Sequence, residues 1–516
     1  MDGGNKDPII VSTKNKYTIQ LLLILSFLFA FIVRLSIIGK YGFSEDEIRK
    51  LLAVHSYSDL NFSDNAAHPF LNKGLIFLSI SIFGETEFAV RLPNAIIASL
   101  TVYPIFYLGK KVHSEQVGII AAFLWAVDIS SIAFTTVAKE DTLLVFFWIC
   151  ALYFYLEALD DRSYLTYCGI SVGLAWASKY SAYLLVILLF ILLYFDHRSG
   201  TTNLEVKEIL RRACIPALVV FLIFNFPILI PRTIENLWNH QVLNFRDYPD
   251  KSGYIMMGVI MRERPKYYLI LFLAVKTPVI ELVFFIIGLY HFKAPLNQSK
   301  RLLLISFILP LGILTLLDGF TRYILVALPQ FLIILAIGIY NFSKILARER
   351  DGQTKLENRI FKLTFSISFT TILAILIIGL TVTPYYRMYV NEIGGGQSKY
   401  GYYFPQDSVY DYKIKEGMQF LNQLANPNAL IAMSVPIVGK YYGRSDFQFM
   451  YIRELSKNTT QWKESGVDYI MIQESRIYFE NQVQITLIRA NFLLIQSYSV
   501  INNVVVEIYQ VPWMVI

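Results

Sequence analysis

Apolar runs of about 17 or more residues recur along this chain, and a soluble domain has no core large enough to bury them all. As a helix, each run is long enough to cross a hydrocarbon layer of roughly 30 Å at about 1.5 Å per residue. Eleven are read, at about 19–38, 92–109, 117–136, 142–158, 164–178, 180–196, 213–231, 267–291, 302–317, 322–342 and 363–383. The fifth and sixth share one stretch broken only by "ASKYSA", and the ninth is short. With 16% charged residues and a mean hydropathy of +0.48, the composition falls in the membrane class. The expectation is an α-helical polytopic membrane protein of about eleven transmembrane helices.

Orientation follows from the lysine and arginine bias of short loops. Segments 1–18 (with Lys6), 110–113 (Lys110, Lys111), 197–212 (Arg198, Arg211), 292–301 (Lys293, Lys300) and 343–362 (Lys344, Arg350) all fall on one side, which should be the cytoplasm. Those loops carry most of the net charge of +7, so the charge does not argue for nucleic acid. An odd number of spans then places the N-terminus inside and everything after residue 384 outside. The chain divides into a membrane domain, 1–384, and an extracytoplasmic domain, 385–516. In the latter, "YDYKIKEGMQFLNQL" has a helical period, "ALIAMSVP" and "VDYIMIQ" read as strands, and "FLLIQSYSVINNVVVEIYQV" reads as a hairpin about Asn502-Asn503. A small α/β fold is expected there. Cys150, Cys168 and Cys214 lie in apolar segments without metal or redox spacing and are expected to be packing residues.

The outer loop 39–91 holds the first cluster of chemistry. "SEDEIRKLLAVHSYS" places Ser44 and Glu47 at capping-box spacing and Ile48, Leu51, Leu52 and His55 on one face, so an interfacial helix is expected. Glu45, Asp46 and Glu47 suit a helix first turn, where acids complement the dipole. That account does not reach the second cluster, Lys139, Glu140 and Asp141, which opens the fourth span on the same side. Acids near hydrocarbon usually face a cavity or a partner. Between the clusters, His68-Pro69 turns the chain into an apolar segment too short to span, carrying Lys73, and Arg91 opens the next span.

Taken in order, Asp46-Glu47, "HPFLNKGLI" with Leu71 and Lys73, "AVRLPNAI", "AKEDTLLVFF", "KTPV" and "TRYILVALP" resemble the protein O-mannosyltransferases and the related lipid A aminoarabinose transferases, C-type membrane glycosyltransferases. The similarity covers roughly 20–340, and the tail "PYYRMYVNEIGGG…YFPQDSVYDYKIKEG" is similar to that of prokaryotic members. The sequence departs from the family at Phe70, where a second proline is usual, and at Lys139 and Glu140. The resemblance implies a polyprenyl-phosphate-linked sugar as donor, transferred on the extracytoplasmic face by a single inverting displacement to a protein, glycan or lipid acceptor. Asp46 matches the catalytic aspartate, and Glu47 and Asp141 are expected to position acceptor or sugar.

A departing lipid phosphate needs cations at headgroup depth, and Lys73, Arg91, Arg262, Arg264, Lys276 and Arg322 are the candidates. His68, Lys139, Glu140 and Tyr323 are expected to line the substrate site. No nucleotide or redox cofactor is called for, since Gly394, Gly395 and Gly396 lack the strand and helix of a phosphate loop. Some C-type enzymes use a divalent metal, for which Asp46 and Asp141 are the available acids, but no strong ligand set is present and none is expected. The rival reading is a secondary transporter. It would require two related halves with broken helices and charges at the midplane, and neither is visible.

Overall fold

The computed structural model describes residues 13–202, 204–240, 253–293, 295–316, 320–348, 353–458, 461–462 and 466–511. Lys6 and Arg350 of the basic loops lie outside the described residues, as does 241–252 of the second outer loop. Ten helices lead from the N-terminus: α1 (Thr13–Leu35), α2 (Glu45–His55), α3 (Phe70–Phe83), α4 (Glu87–Leu100), α5 (Val102–Val112), α6 (Glu115–Val127), α7 (Ile129–Thr135), α8 (Asp141–Ala158), α9 (Tyr164–Ser178) and α10 (Tyr183–Arg198). They are followed by α11 (Ile215–Phe224), α12 (Tyr268–Lys276), α13 (Val279–Leu289), α14 (Gln298–Leu316), α15 (Leu328–Arg348) and α16 (Gln353–Leu380).

Among the described residues, seven helices are long and apolar enough to cross a membrane, or nine if each of two bent pairs is one span. The eleven expected runs are all helical, but two fall short. α9 has 15 residues, about 22 Å of helix, and α11 has 10 after a π-turn at Leu210–Cys214. The outward faces confirm the solvent: α1 exposes Leu21, Ile24, Leu28 and Ile32, and α16 exposes Phe361, Phe365, Phe369 and Ile377. Apolar stripes of that length are stable only against lipid. Cys168 is buried as expected and Cys150 half-buried, whereas Cys214 is exposed.

The two bends shape the site. α6 and α7 meet at 57°, where the Asp128 carboxylate accepts the Ser131 amide at 2.5 Å and caps the second segment. α12 and α13 meet at 118° at Thr277-Pro278, where proline cannot continue the backbone ladder. α2 and α3 lie in the loop 39–91, and α3 is too short to span, as expected. The buried face of α2 carries Ile48, Leu51 and Val54, while Leu52 and His55 are exposed, a correction to the expected apolar stripe. His55 instead meets Glu85 at 2.6 Å.

Beyond α16 come α17 (Ile414–Leu424), α18 (Pro436–Tyr442) and α19 (Gln482–Asn491), with strands β3 (Leu430–Met433), β4 (Gln448–Tyr451), β5 (Val467–Gln473), β6 (Leu493–Val500) and β7 (Asn503–Gln510). A separate hairpin, β1 (Tyr254–Met256) and β2 (Val259–Met261), precedes α12. The five-stranded sheet has the order β4-β3-β5-β7-β6. β3 is parallel to β4 and β5, and β7 is antiparallel to β5 and β6. The β6–β7 turn puts Ile501 and Asn502 at φ 47 and 65, the left-handed geometry a two-residue hairpin needs.

In the core, α13 and α15 cross at Gly288 and Gly338. A Cβ on Gly338 would overlap the carbonyl oxygen of Phe284, and one on Gly288 that of Ile334. Gly338→Val should therefore force the helices apart and cost at least the upper end of the roughly 1–3 kcal/mol typical of overpacking. A drop of several degrees in melting temperature of the detergent-solubilised protein is the expected result.

Candidate active site

The frame of the site is a buried ion pair. Ser44 caps α2 and its amide donates back to the Glu47 carboxylate at 3.0 Å, so the expected capping box forms. The same carboxylate receives Arg91 Nε and Nη2 at 2.7 and 2.9 Å. The remaining Arg91 N–H groups donate to the carbonyls of Ile38, Tyr41 and Gly42 at 2.8–2.9 Å, so all five are used. Both side chains are fully buried. Burial alone would raise the Glu47 carboxyl; the Arg91 guanidinium and the Ala138 and Ser44 amides override it and hold it down at about 2.

That pair fixes the second acidic cluster. The Ala138 amide donates to Glu47 at 2.9 Å. From α4, the Asn94 amide donates to the carbonyls of Val137 and Lys139 at 2.9 and 2.7 Å. Residues 137–139 are thereby clamped from two helices, and Lys139 Nζ is set against the Asp46 carboxylate. Tyr410, from the segment after the last span, donates its hydroxyl to the same Asp46 oxygen at 2.9 Å. Its phenol stays protonated, pushed up to about 12 by burial.

Flanking groups complete the arrangement. Asp141 meets Lys179 at 2.6 Å and Arg322 at 3.6 Å. The Lys179 ammonium also lies 3.8 Å from the Tyr323 ring centroid. Glu140 meets Lys50 at 3.0 Å and His68 at 3.5 Å. The Arg387 guanidinium stacks 4.4 Å over the Tyr410 ring and donates to the Ala133 carbonyl at 3.2 Å. Five basic side chains (Lys50, Lys139, Lys179, Arg322, Arg387) thus gather with three carboxylates (Asp46, Glu140, Asp141). Arg387 Nη2 and Arg322 Nε, both buried, have no hydrogen-bond partner among the described residues. Among the acids, the Asp46 side chain is 35% exposed, against 0% for Glu47, 2% for Glu140 and 4% for Asp141. Asp46 is the one with a face open to an incoming molecule.

Not every expected residue arrives there. Arg91 has no N–H left for a phosphate, and Glu47 no oxygen for a substrate; both are structural. Lys73 donates to the carbonyls of Asp64 and Asn65 at 3.1 and 3.0 Å and pins that turn. Lys276 donates to the Arg387 carbonyl and Ser408 Oγ at 2.8 and 2.9 Å, tying the segment after α16 to the α12–α13 bend. Arg262 is exposed and makes no contact with the cluster among the described residues. Arg264 is adjacent: Phe320 lies between its guanidinium, at 4.2 Å, and that of Arg322, at 4.4 Å. For Lys73 and Lys276 the physical reason is the same: a buried ammonium without a close counter-ion is stable only when its donors are filled by nearby oxygens.

Lys50, Lys179, Arg387 and Tyr410 are additions that sequence reasoning missed. Lys50 lies one helical turn after Asp46, and Lys179 is the charge inside "ASKYSA", so spacing could have flagged both. Arg387 and Tyr410 are more than 300 residues from Asp46, and no local signal ties them to it. As for a metal, Asp46 and Asp141 each face a lysine where a cation would need them open. The described residues gather no set of three His, Cys, Asp or Glu, and this donor set does not fit one.

Residues 67–229 match a family model described as dolichyl-phosphate-mannose-protein mannosyltransferase. No curated protein is matched. The apo crystal structure of ArnT from Cupriavidus metallidurans aligns over 96% of this chain and 98% of its own, at 11% identity and TM-score 0.54. The same protein bound to undecaprenyl phosphate gives 12% and 0.52 over the same shares. The Archaeoglobus fulgidus oligosaccharyltransferase in complex with zinc and sulfate aligns over 88% of this chain and 68% of its own, at 13% and 0.55. The chain has the fold of these C-type membrane glycosyltransferases, and the resemblance read from the sequence is borne out.

The buried frame can be tested by itself. Glu47 titrates near 2 when folded and near 4.3 when unfolded. It therefore adds stability above about pH 4.3 that is lost as the pH falls toward 2. Glu47→Gln should lower stability at neutral pH by about 3–5 kcal/mol, leaving Arg91 without its partner, and should flatten the acid limb of a melting-temperature profile.

Proposed function

We propose that this protein moves a sugar from a polyprenyl-phosphate carrier to an acceptor on the extracytoplasmic face of the membrane, with Asp46 as the base. The observation that carries the reading is the pairing of one open carboxylate, Asp46, with two guanidinium groups that each keep one nitrogen without a hydrogen-bond partner among the described residues, Arg322 Nε and Arg387 Nη2. A base facing an acceptor and donors facing an anion are the two parts that displacement of a phosphate requires. The match of 67–229 to a mannosyltransferase family and the undecaprenyl phosphate bound by a protein of the same fold support that donor class.

In this mechanism the acceptor hydroxyl gives its proton to Asp46 as its oxygen attacks the anomeric carbon. The phosphate leaves from the opposite face with the bonding electrons, so the configuration inverts. Arg322, with Arg264 across Phe320, and Arg387 receive the growing phosphate charge, and guanidinium geometry allows two-point contact. Asp141 and Lys179 hold Arg322 and Tyr323 in place, and Glu140 does the same for Lys50 and His68. The N-terminus lies in the cytoplasm and the 385–516 domain outside, where Tyr410 and Arg387 come from its first residues.

The direct test is release of polyprenyl phosphate by purified protein given polyprenyl-phosphate mannose, glucose and aminoarabinose, followed by mass spectrometry. Turnover of one donor by wild type is expected, with Asp46→Asn slower by about 100-fold or more and correctly folded. An Asn variant with wild-type turnover would sink the assignment. Arg322→Gln should raise the donor KM about tenfold with a smaller effect on acceptor KM, and unchanged donor kinetics would count against the phosphate role.

A further inference from the structure

Lys139 is built into the site more firmly than a counter-ion needs to be. Its turn is clamped by Glu47 through the Ala138 amide and by Asn94 through two carbonyls. Its side chain is 3% exposed and ends against the one open carboxylate, Asp46. We propose that Lys139 is the proton-accepting partner of Asp46, so that the two side chains work as a single base; this rests on the sugar-transfer reading above.

The groups facing Lys139 come from four elements. α2 brings Asp46 and Glu45, the segment after α16 brings Arg387 and Tyr410, and the loop before α15 brings Arg322. Its own turn brings Glu140 and Asp141, but these are already paired, Glu140 with Lys50 and Asp141 with Lys179. Glu45, which also faces Lys139, is paired with Arg49 and Arg476, so among the described residues Asp46 is the carboxylate left to Lys139 beside two guanidinium groups. Guanidinium does not give up its proton in a protein, so the strain of crowding three cations falls on the amine. Burial first, and then Arg322, push the Lys139 amine well below its ordinary range, against the pull of Glu140 and Asp141.

On this proposal the resting Lys139 amine is neutral, and it has work to do. The acceptor oxygen forms its bond to the anomeric carbon as the carbon–phosphate oxygen bond breaks, and the electron pair leaves with the phosphate. The acceptor proton passes to Asp46 and on to Lys139 Nζ, which becomes an ammonium. One positive charge appears on Lys139 as one negative charge appears on the phosphate, so the site keeps its charge through the step. A permanently charged lysine would leave the proton on Asp46, at about the acidity of a carboxylic acid, and the reverse transfer would be favoured.

The experiment compares full-length wild type, Lys139→Arg, Lys139→Gln and Asp46→Asn, using release of polyprenyl phosphate from each of the mannose, glucose and aminoarabinose donors across pH 5–9. Lys139→Arg keeps a positive charge but cannot take a proton, and its kcat is expected to fall about 100-fold with donor KM within threefold of wild type. Lys139→Gln, smaller than lysine and free of clash, is expected to lose the rise of kcat with pH that wild type shows. Wild-type kcat and pH profile in Lys139→Arg, or a change confined to donor KM in both Lys139 variants, would overturn the base-pair role while leaving sugar transfer standing. An inert wild type, or full activity in Asp46→Asn, would overturn the sugar-transfer reading and this inference with it.

Discussion

The Glu47–Arg91 pair is the interaction on which the candidate site depends. It sits where the loop 39–91, the start of α4 and the turn before α8 meet, and it is wholly excluded from solvent. Two buried charges are expensive to desolvate, and the cost is offset only when geometry is close and every remaining donor and acceptor is used. Here that condition is met: five guanidinium N–H groups and both carboxylate oxygens have partners. Because the pair's neighbours are Ser44, Ala138 and the carbonyls of 38–42, it welds together the segments that carry Asp46 and Lys139.

From this weld the division of labour among four neighbouring acids follows. Asp46 and Glu47 are adjacent in sequence but point to opposite sides of α2, one into the protein and one toward an opening. Glu140 and Asp141 are likewise adjacent and likewise diverge, to Lys50 and Lys179. Acid pairs at helix starts are common and mean little individually. Their meaning here comes from the partner each one meets: Arg91 for Glu47, and a lysine for each of the other three.

The segment after the last span has an equally large part. Lys276 holds Arg387 and Ser408 at the α12–α13 bend, Asp407 takes the Tyr268 and Thr321 hydroxyls, and Arg476 joins Asp411 to Glu45. Arg322 and Arg264, with these hydrogen bonds, hold the buried Asp407 below the usual carboxylate range, against the effect of burial. The result is a strap of residues 386–411 lying across the mouth of the helical bundle, with Tyr410 and Arg387 turned inward. Lys276, expected to touch the donor, serves this strap instead.

The sequence by itself determined the solvent and most of the elements. Apolar runs, the Ser44–Glu47 cap and the Asn502 turn are encoded by neighbours a few residues apart, and local backbone energetics decides them. It also named Asp46, Lys139 and Arg322, through the order of motifs along the chain. The tertiary structure alone decided which charge meets which. Arg91 and Lys276 are cations in positions near span ends like that of Arg322, yet they are consumed by buried carbonyls, a hydroxyl and a carboxylate. Arg387 and Tyr410 reach Asp46 from more than 300 residues away. Charge pairing depends on inverse distance and on exclusion of water, and both are properties of the packed molecule that no stretch of sequence contains.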